Sequence, residues 1–126
     1  MSTTTDTATV VDTHIAAYCD PDAGRRAERF ASVWAADGEL LDPPLEGRGL
    51  TEITALTDVV LAHYPGHRFE RTTAVDEHHG WARYGWALLD PEGQTVLTGT
   101  DVAQLDDAGR LVRIVGFFGE LAPAAA

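Results

Sequence analysis

Residues 81–118, WARYGWALLDPEGQTVLTGTDVAQLDDAGRLVRIVGFF, decide the fold, because they read as three long strands cut by two turns of the same make. Trp81–Leu89, Thr95–Leu105 and Leu111–Phe118 are rich in β-branched and aromatic residues. Asp90-Pro91-Glu92-Gly93 and Asp106-Asp107-Ala108-Gly109 supply the Asp and Gly that tight connections need. Upstream, Arg68 to Val75 adds a fourth strand before the turn-like Glu77-His78-His79-Gly80, and together the four form an antiparallel meander. Within Thr95–Leu105, Asp101 shares its face with Leu97, Gly99, Ala103 and Leu105, so a period of two turns a carboxyl group toward the apolar side. A lone carboxylate there loses its hydration and must either find a partner or keep its proton. Two readings follow: a structural Asp bonded to its neighbours, or a neutral acid able to donate a hydrogen bond.

The first half of the chain reads as helices. Ala8 to Tyr18 sets Val11, His14, Ile15 and Tyr18 on one stripe, and Asp20-Pro21 ends it. Gly24 to Ala36 carries Ala27, Phe30, Ala31 and Trp34 on one face, and Asp37-Gly38 closes it into a short extended segment around Leu40 and Leu41 that stops at Pro43-Pro44. From Thr51 to Tyr64, Ile53, Leu56, Val60 and Tyr64 form a third stripe, with Thr51 as a candidate cap and Pro65-Gly66 as the stop. Helices laid on one face of the sheet bury both sets of apolar stripes, giving an α+β domain over residues 8–121, with residues 1–7 and 122–126 as flexible ends. The uncovered outer sheet face, to which Tyr84 and Trp86 are assigned, then has reason to bury itself against a second copy, so a homodimer is expected.

Charge narrows the partners. Nine Lys and Arg against 20 Asp and Glu give a formal net charge of -11, and no basic run offers a stripe for phosphates, which argues against nucleic acid. Cys19 is the sole cysteine, so no internal disulfide framework exists. No apolar stretch is long enough to cross a bilayer and no early basic and apolar run resembles a signal peptide, so a cytoplasmic protein without a membrane partner is expected. His78 and His79 stand side by side at a turn, and His63 and His67 are split by Pro65-Gly66, so no metal is assigned. Arg48, in Pro44-Leu45-Glu46-Gly47-Arg48-Gly49, is read as a solvated loop arginine paired with Glu46 or Glu52.

Two further residues could join Asp101. Tyr18 ends the first apolar stripe and carries a phenol into hydrophobic packing, and His14 precedes it by one helical turn. Asp42 follows Leu40 on the same strand face and is fixed from behind by Pro43. Tyr18 also fits as a core or rim tyrosine, and Asp42-Pro43 as a plain strand stop.

The stretches IAAYCD (Ile15–Asp20), VWAADGELLDPPLEG (Val33–Gly47) and TDVAQLDDAGRLVRIVGFFGE (Thr100–Glu120) resemble the nuclear transport factor 2-like (NTF2-like), or SnoaL-like, superfamily, and within it the ketosteroid isomerases. The resemblance implies a cone-shaped half-barrel: three N-terminal helices packed on a curved, mostly antiparallel sheet. It places the isomerase roles on Asp42 as base and on Tyr18 and Asp101 as hydrogen-bond donors, with no cofactor and an apolar carbonyl ligand. A double bond would then move through a dienolate. The same superfamily also holds polyketide cyclases, epoxide hydrolases and non-catalytic binding proteins. The hydrolase pattern would use Arg83 with Asp101, but Gly85 stands where its other Asp would be, and a cyclase could use Asp101 with His14 assisting.

Overall fold

The computed structural model describes residues 6–125. Three helices, α1 (Thr7–Ala17), α2 (Ala23–Val33) and α3 (Gly49–His63), accompany seven strands: β1 (Trp34–Asp42), β2 (Leu45–Arg48), β3 (Arg68–Arg71), β4 (Asp76–His78), β5 (Trp81–Leu89), β6 (Thr95–Leu105) and β7 (Leu111–Phe118). The three long strands read from residues 81–118 keep their expected bounds. Their two connections share one device: the Asp90 carboxylate accepts from the backbone N–H of Glu92 and Gln94, and that of Asp106 from Ala108 and Arg110. Gly93 and Gly109 take φ of 84° and 81°, a conformation other residues rarely adopt.

Several boundaries differ from the sequence reading. Trp34 is already extended (φ -99°, ψ 141°), so α2 stops at Val33 rather than near Ala36, because β1 begins there to pair with β7. Residues 45–48, read as a loop, form a hairpin partner for β1. Gly49, at φ 81°, then turns the chain into α3, with Arg48 rather than Thr51 at the cap position and the Glu52 carboxylate accepting from the Arg48 N–H. Residues 68–75 break after Arg71, and β4 takes up Glu77 and His78 from the expected turn. Thr7 belongs to α1; the remaining expectation of flexible ends falls on exposed, irregular residues 122–125 and on residues 1–5 and 126, which lie outside the described ones.

The cone-shaped half-barrel does not form. The strand order is β2-β1-β7-β6-β5-β3, with β4 also on β5, an open path whose ends never meet. The sheet is mixed, because β1 and β7 run parallel while the other pairs are antiparallel. A physical reason lies at the edges: β2 packs against α3 and β3 against α1, so each edge is covered by a helix instead of by the other edge. The core lies between the helices and one sheet face, where Val11, Phe30, Ile53, Leu88, Leu111 and Ile114 are at most 1% exposed. A buried Arg26 ties the helices together, donating to Thr57 on α3, to the Asp20 carbonyl and, at 2.5 Å, to Asp58. No helix among the described residues is long and apolar enough to cross a membrane.

Tyr84 and Trp86 are not on the outer face. They are 2% and 5% exposed and share the inward parity of Ala82 and Leu88. Any dimer must use a different stripe.

Candidate functional site

Strand register builds the floor of a cavity. Asp101 on β6 lies opposite Gly116 on β7 and opposite Tyr84 on β5, and β1 runs beside β7 with Leu41 level with Val115, which carries Asp42 alongside Gly116. Asp42, Gly116, Asp101 and Tyr84 therefore form a row across four adjacent strands. Gly116 is what allows it: a Cβ there would lie 2.7 Å from Asp42 Oδ1 and 2.9 Å from Asp101 Oδ1, too close for any side chain. Two carboxylates thus approach each other over a bare backbone.

Their partners differ. Asp101 is 8% exposed and accepts from Tyr84 Oη at 2.9 Å and from Trp86 Nε1 at 3.0 Å. Trp86 reaches it because the residue opposite is Gly99, over which the indole lies; a Cβ on Gly99 would collide with the ring. Asp42 Oδ1 is buried and has no hydrogen-bond partner among the described residues. Burial pushes the Asp42 carboxyl up to about 6. Asp101 goes up to about 7, through burial and the charge of Asp42, opposed by the hydrogen bonds from Tyr84 and Trp86.

The other wall is helical. His14 on α1 and Tyr18 at its C-terminal cap line the cavity, with their rings edge to face at 5.4 Å. Burial, then the charges of Asp42 and Asp101, hold the Tyr18 phenol far above its usual value, so it stays protonated as a donor. His14 Nδ1 accepts from Trp34 Nε1 at 3.1 Å. Between the layers lies a cavity of about 260 Å³, walled by Ile15, Leu40, Val60, Phe69 and Leu97 among apolar groups, with the exposed Val59 and Phe118 at its rim.

The structure thus brings Tyr18, Asp42 and Asp101 to one cavity. Other candidates fall elsewhere. Arg83 points to the opposite sheet face and pairs with Asp76 at 2.9 Å, and Arg48 pairs with Glu39 at 2.6 Å rather than through its side chain with Glu46 or Glu52. Among the described residues no three His, Cys, Asp or Glu side chains gather as a metal site. Sequence reasoning missed Tyr84, Trp86 and Gly116. A signal existed for the first two: Ala82, Tyr84, Trp86 and Leu88 alternate with Trp81, Arg83 and Gly85, and the more uniformly apolar set is the inward one. Gly116 had none, since its role comes from neighbours on two other strands.

This layered arrangement is the NTF2-like one. A protein from Sinorhizobium meliloti described as a proposed polyketide cyclase matches with a TM-score of 0.68 at 16% identity, covering 90% of this chain and 100% of that one. An NTF2-like protein of unknown function from Exiguobacterium sp. 255-15 matches with a TM-score of 0.69 at 14% identity, covering 89% and 99%. At such identities the likeness is one of fold. A proposed isomerase of the SnoaL-like family from Agrobacterium tumefaciens str. C58 is nearer: 33% identical, TM-score 0.85, covering 90% of this chain and 97% of that one. The chain belongs to the SnoaL-like family. No family model matches the sequence, and no curated protein matches it.

Proposed function

We propose that the protein is a cofactor-independent isomerase that moves a double bond in an apolar unsaturated ketone. The observation that carries the reading is the unpartnered Oδ1 of Asp42, buried at the wall of an apolar cavity beside a second, more weakly acidic carboxyl group. Ionised Asp42 takes a proton from the carbon between the carbonyl and the isolated double bond. The electron pair left behind spreads into a dienolate, whose oxygen accepts from Tyr18 and from neutral Asp101. Protonated Asp42 returns the proton at the far end of the dienolate, which leaves a conjugated enone and regenerates the base. The description of the Agrobacterium relative as a proposed isomerase supports this reaction class. A cavity of about 260 Å³ sits at the small end of ligand sites, roughly 300–1,000 Å³, so it suits a compact ring ketone better than a fully enclosed steroid.

The test is a panel of β,γ-unsaturated ketones in deuterated buffer, read by exchange at the carbon next to the carbonyl. The rate is expected to follow a narrow bell. It rises as Asp42 ionises through about 6 and falls as Asp101 loses its proton through about 7, so the optimum lies between. Ligand binding with no exchange on any ketone would replace the enzyme with a binding protein of the same fold. An epoxide hydrolase draws no support from Arg83, which lies on the other side of the sheet.

The homodimer remains part of the proposal, through other residues than Tyr84 and Trp86. Leu41, Val102, Val115 and Phe117 form an outward stripe, and Phe117 is 58% exposed. Burying it against a second copy would remove apolar surface from water. Sedimentation velocity at micromolar concentration is expected to show a dimer that Phe117→Glu dissociates; a monomeric parent protein overturns it.

A further inference from the structure

His14 sits in the cavity wall, 3% exposed, with its ring against Tyr18, Phe30 and Trp34. An indole N–H can only donate, so the 3.1 Å bond from Trp34 Nε1 requires a bare lone pair on His14 Nδ1. A neutral imidazole carries one proton, and it must therefore sit on Nε2. Burial holds the ring's pKa down at about 3, so no second proton joins it at neutral pH. Trp34 is itself anchored, 2% exposed and folded back over Gly38, where any Cβ would strike its ring. The tautomer is set by a rigid partner, and Nε2–H has no hydrogen-bond acceptor among the described residues.

We propose that His14 is a specificity residue whose Nε2–H donates to a second, neutral oxygen of the ligand, in a 1,2 or 1,3 relation to the carbonyl. This rests on the isomerase reading in one respect: there, Tyr18 and Asp101 occupy both lone pairs of the carbonyl oxygen, which leaves the His14 donor for another atom. The donor is an uncharged N–H one helical turn from Tyr18, so the second acceptor lies near the first. That acceptor is an ether, hydroxyl or carbonyl oxygen. A carboxylate would enter a cavity already holding two carboxyl groups, in a chain of net charge -11, with no Lys or Arg among the lining residues.

Cyclohexenone and its β-methoxy counterpart provide the probes, titrated by calorimetry into the full chain. The methoxy compound is expected to bind about tenfold more tightly, the worth of one well-placed hydrogen bond. His14→Phe keeps the ring's bulk and is expected to erase that preference, the two probes then binding alike; His14→Gln, which retains an N–H, restores part of it. An unchanged preference in His14→Phe overturns the proposal. Should that variant fail to fold, nitrogen-15 NMR of the parent protein decides. A proton on Nε2 whose resonance moves with the methoxy probe and not with cyclohexenone supports the assignment, and a proton on Nδ1 overturns it. These readouts need no turnover. A methoxy preference without proton exchange on any ketone therefore removes the isomerase alone, and exchange without the preference removes the His14 role alone.

Discussion

Asp42→Asn is expected to lower ketone isomerisation by about 10²–10⁴-fold, the usual contribution of a positioned base, while ligand affinity changes little. The fold loses nothing by the change: Asp42 Oδ1 makes no hydrogen bond among the described residues that the amide would forfeit, and burial, which holds the carboxyl up at about 6, makes its charge a cost to folding. Asparagine keeps the shape over Gly116 and removes only the ability to accept a proton. Stopped-flow or exchange kinetics should place the loss in kcat with KM nearly constant, as befits an interaction made in the transition state. Undiminished turnover in Asp42→Asn would exclude it as the base, whatever else the cavity does.

Asp101→Asn is expected to make the protein more stable above neutral pH while impairing catalysis. Asp101 titrates near 7 when folded and near 3.8 in the unfolded chain, so the native state binds the proton more tightly. Unfolding free energy should therefore fall as pH rises from about 4 to about 7 and level off beyond, by an amount on the order of 4 kcal/mol from this group. Below the unfolded value both states are protonated and the penalty is absent. The amide escapes it at every pH and can still accept from Trp86 Nε1 while donating to Tyr84 Oη. Urea midpoints of the two proteins should then diverge as the buffer is made more alkaline. Parallel pH profiles would mean that Asp101 is ionised in the folded protein across that range, and would remove it as a neutral donor.

What was legible in the sequence was mostly local. The strands of residues 81–118 show themselves because alternation and Asp-Gly turns act within a few residues of each other. Strands β2 and β4, at four and three residues, owe their conformation to β1 and β5 rather than to their own composition. The cone failed for a related reason: closure depends on what meets each sheet edge, and here helices do. Asp101 was legible as an inward carboxyl by parity alone. Its convergence with Tyr18 and Asp42 was not, since α1, β1 and β6 are remote in the chain and only the family resemblance linked them. Tyr84 and Trp86, the donors to Asp101, were expected on the outer face for a dimer, but they share the inward parity of Ala82 and Leu88.

The hydrogen-bond donors His14, on α1, and Tyr18, at its C-terminal cap, belong to the helical layer, whereas both carboxyl groups belong to the sheet. The proposed acid-base chemistry thus depends on how tightly two layers are clamped, not on either layer by itself. Mild pressure or sub-denaturing urea, which loosen such clamps before strands separate, should silence turnover while the sheet's amide protons remain protected from exchange. Activity would then report on the gap between the layers, making the protein a gauge of its own breathing.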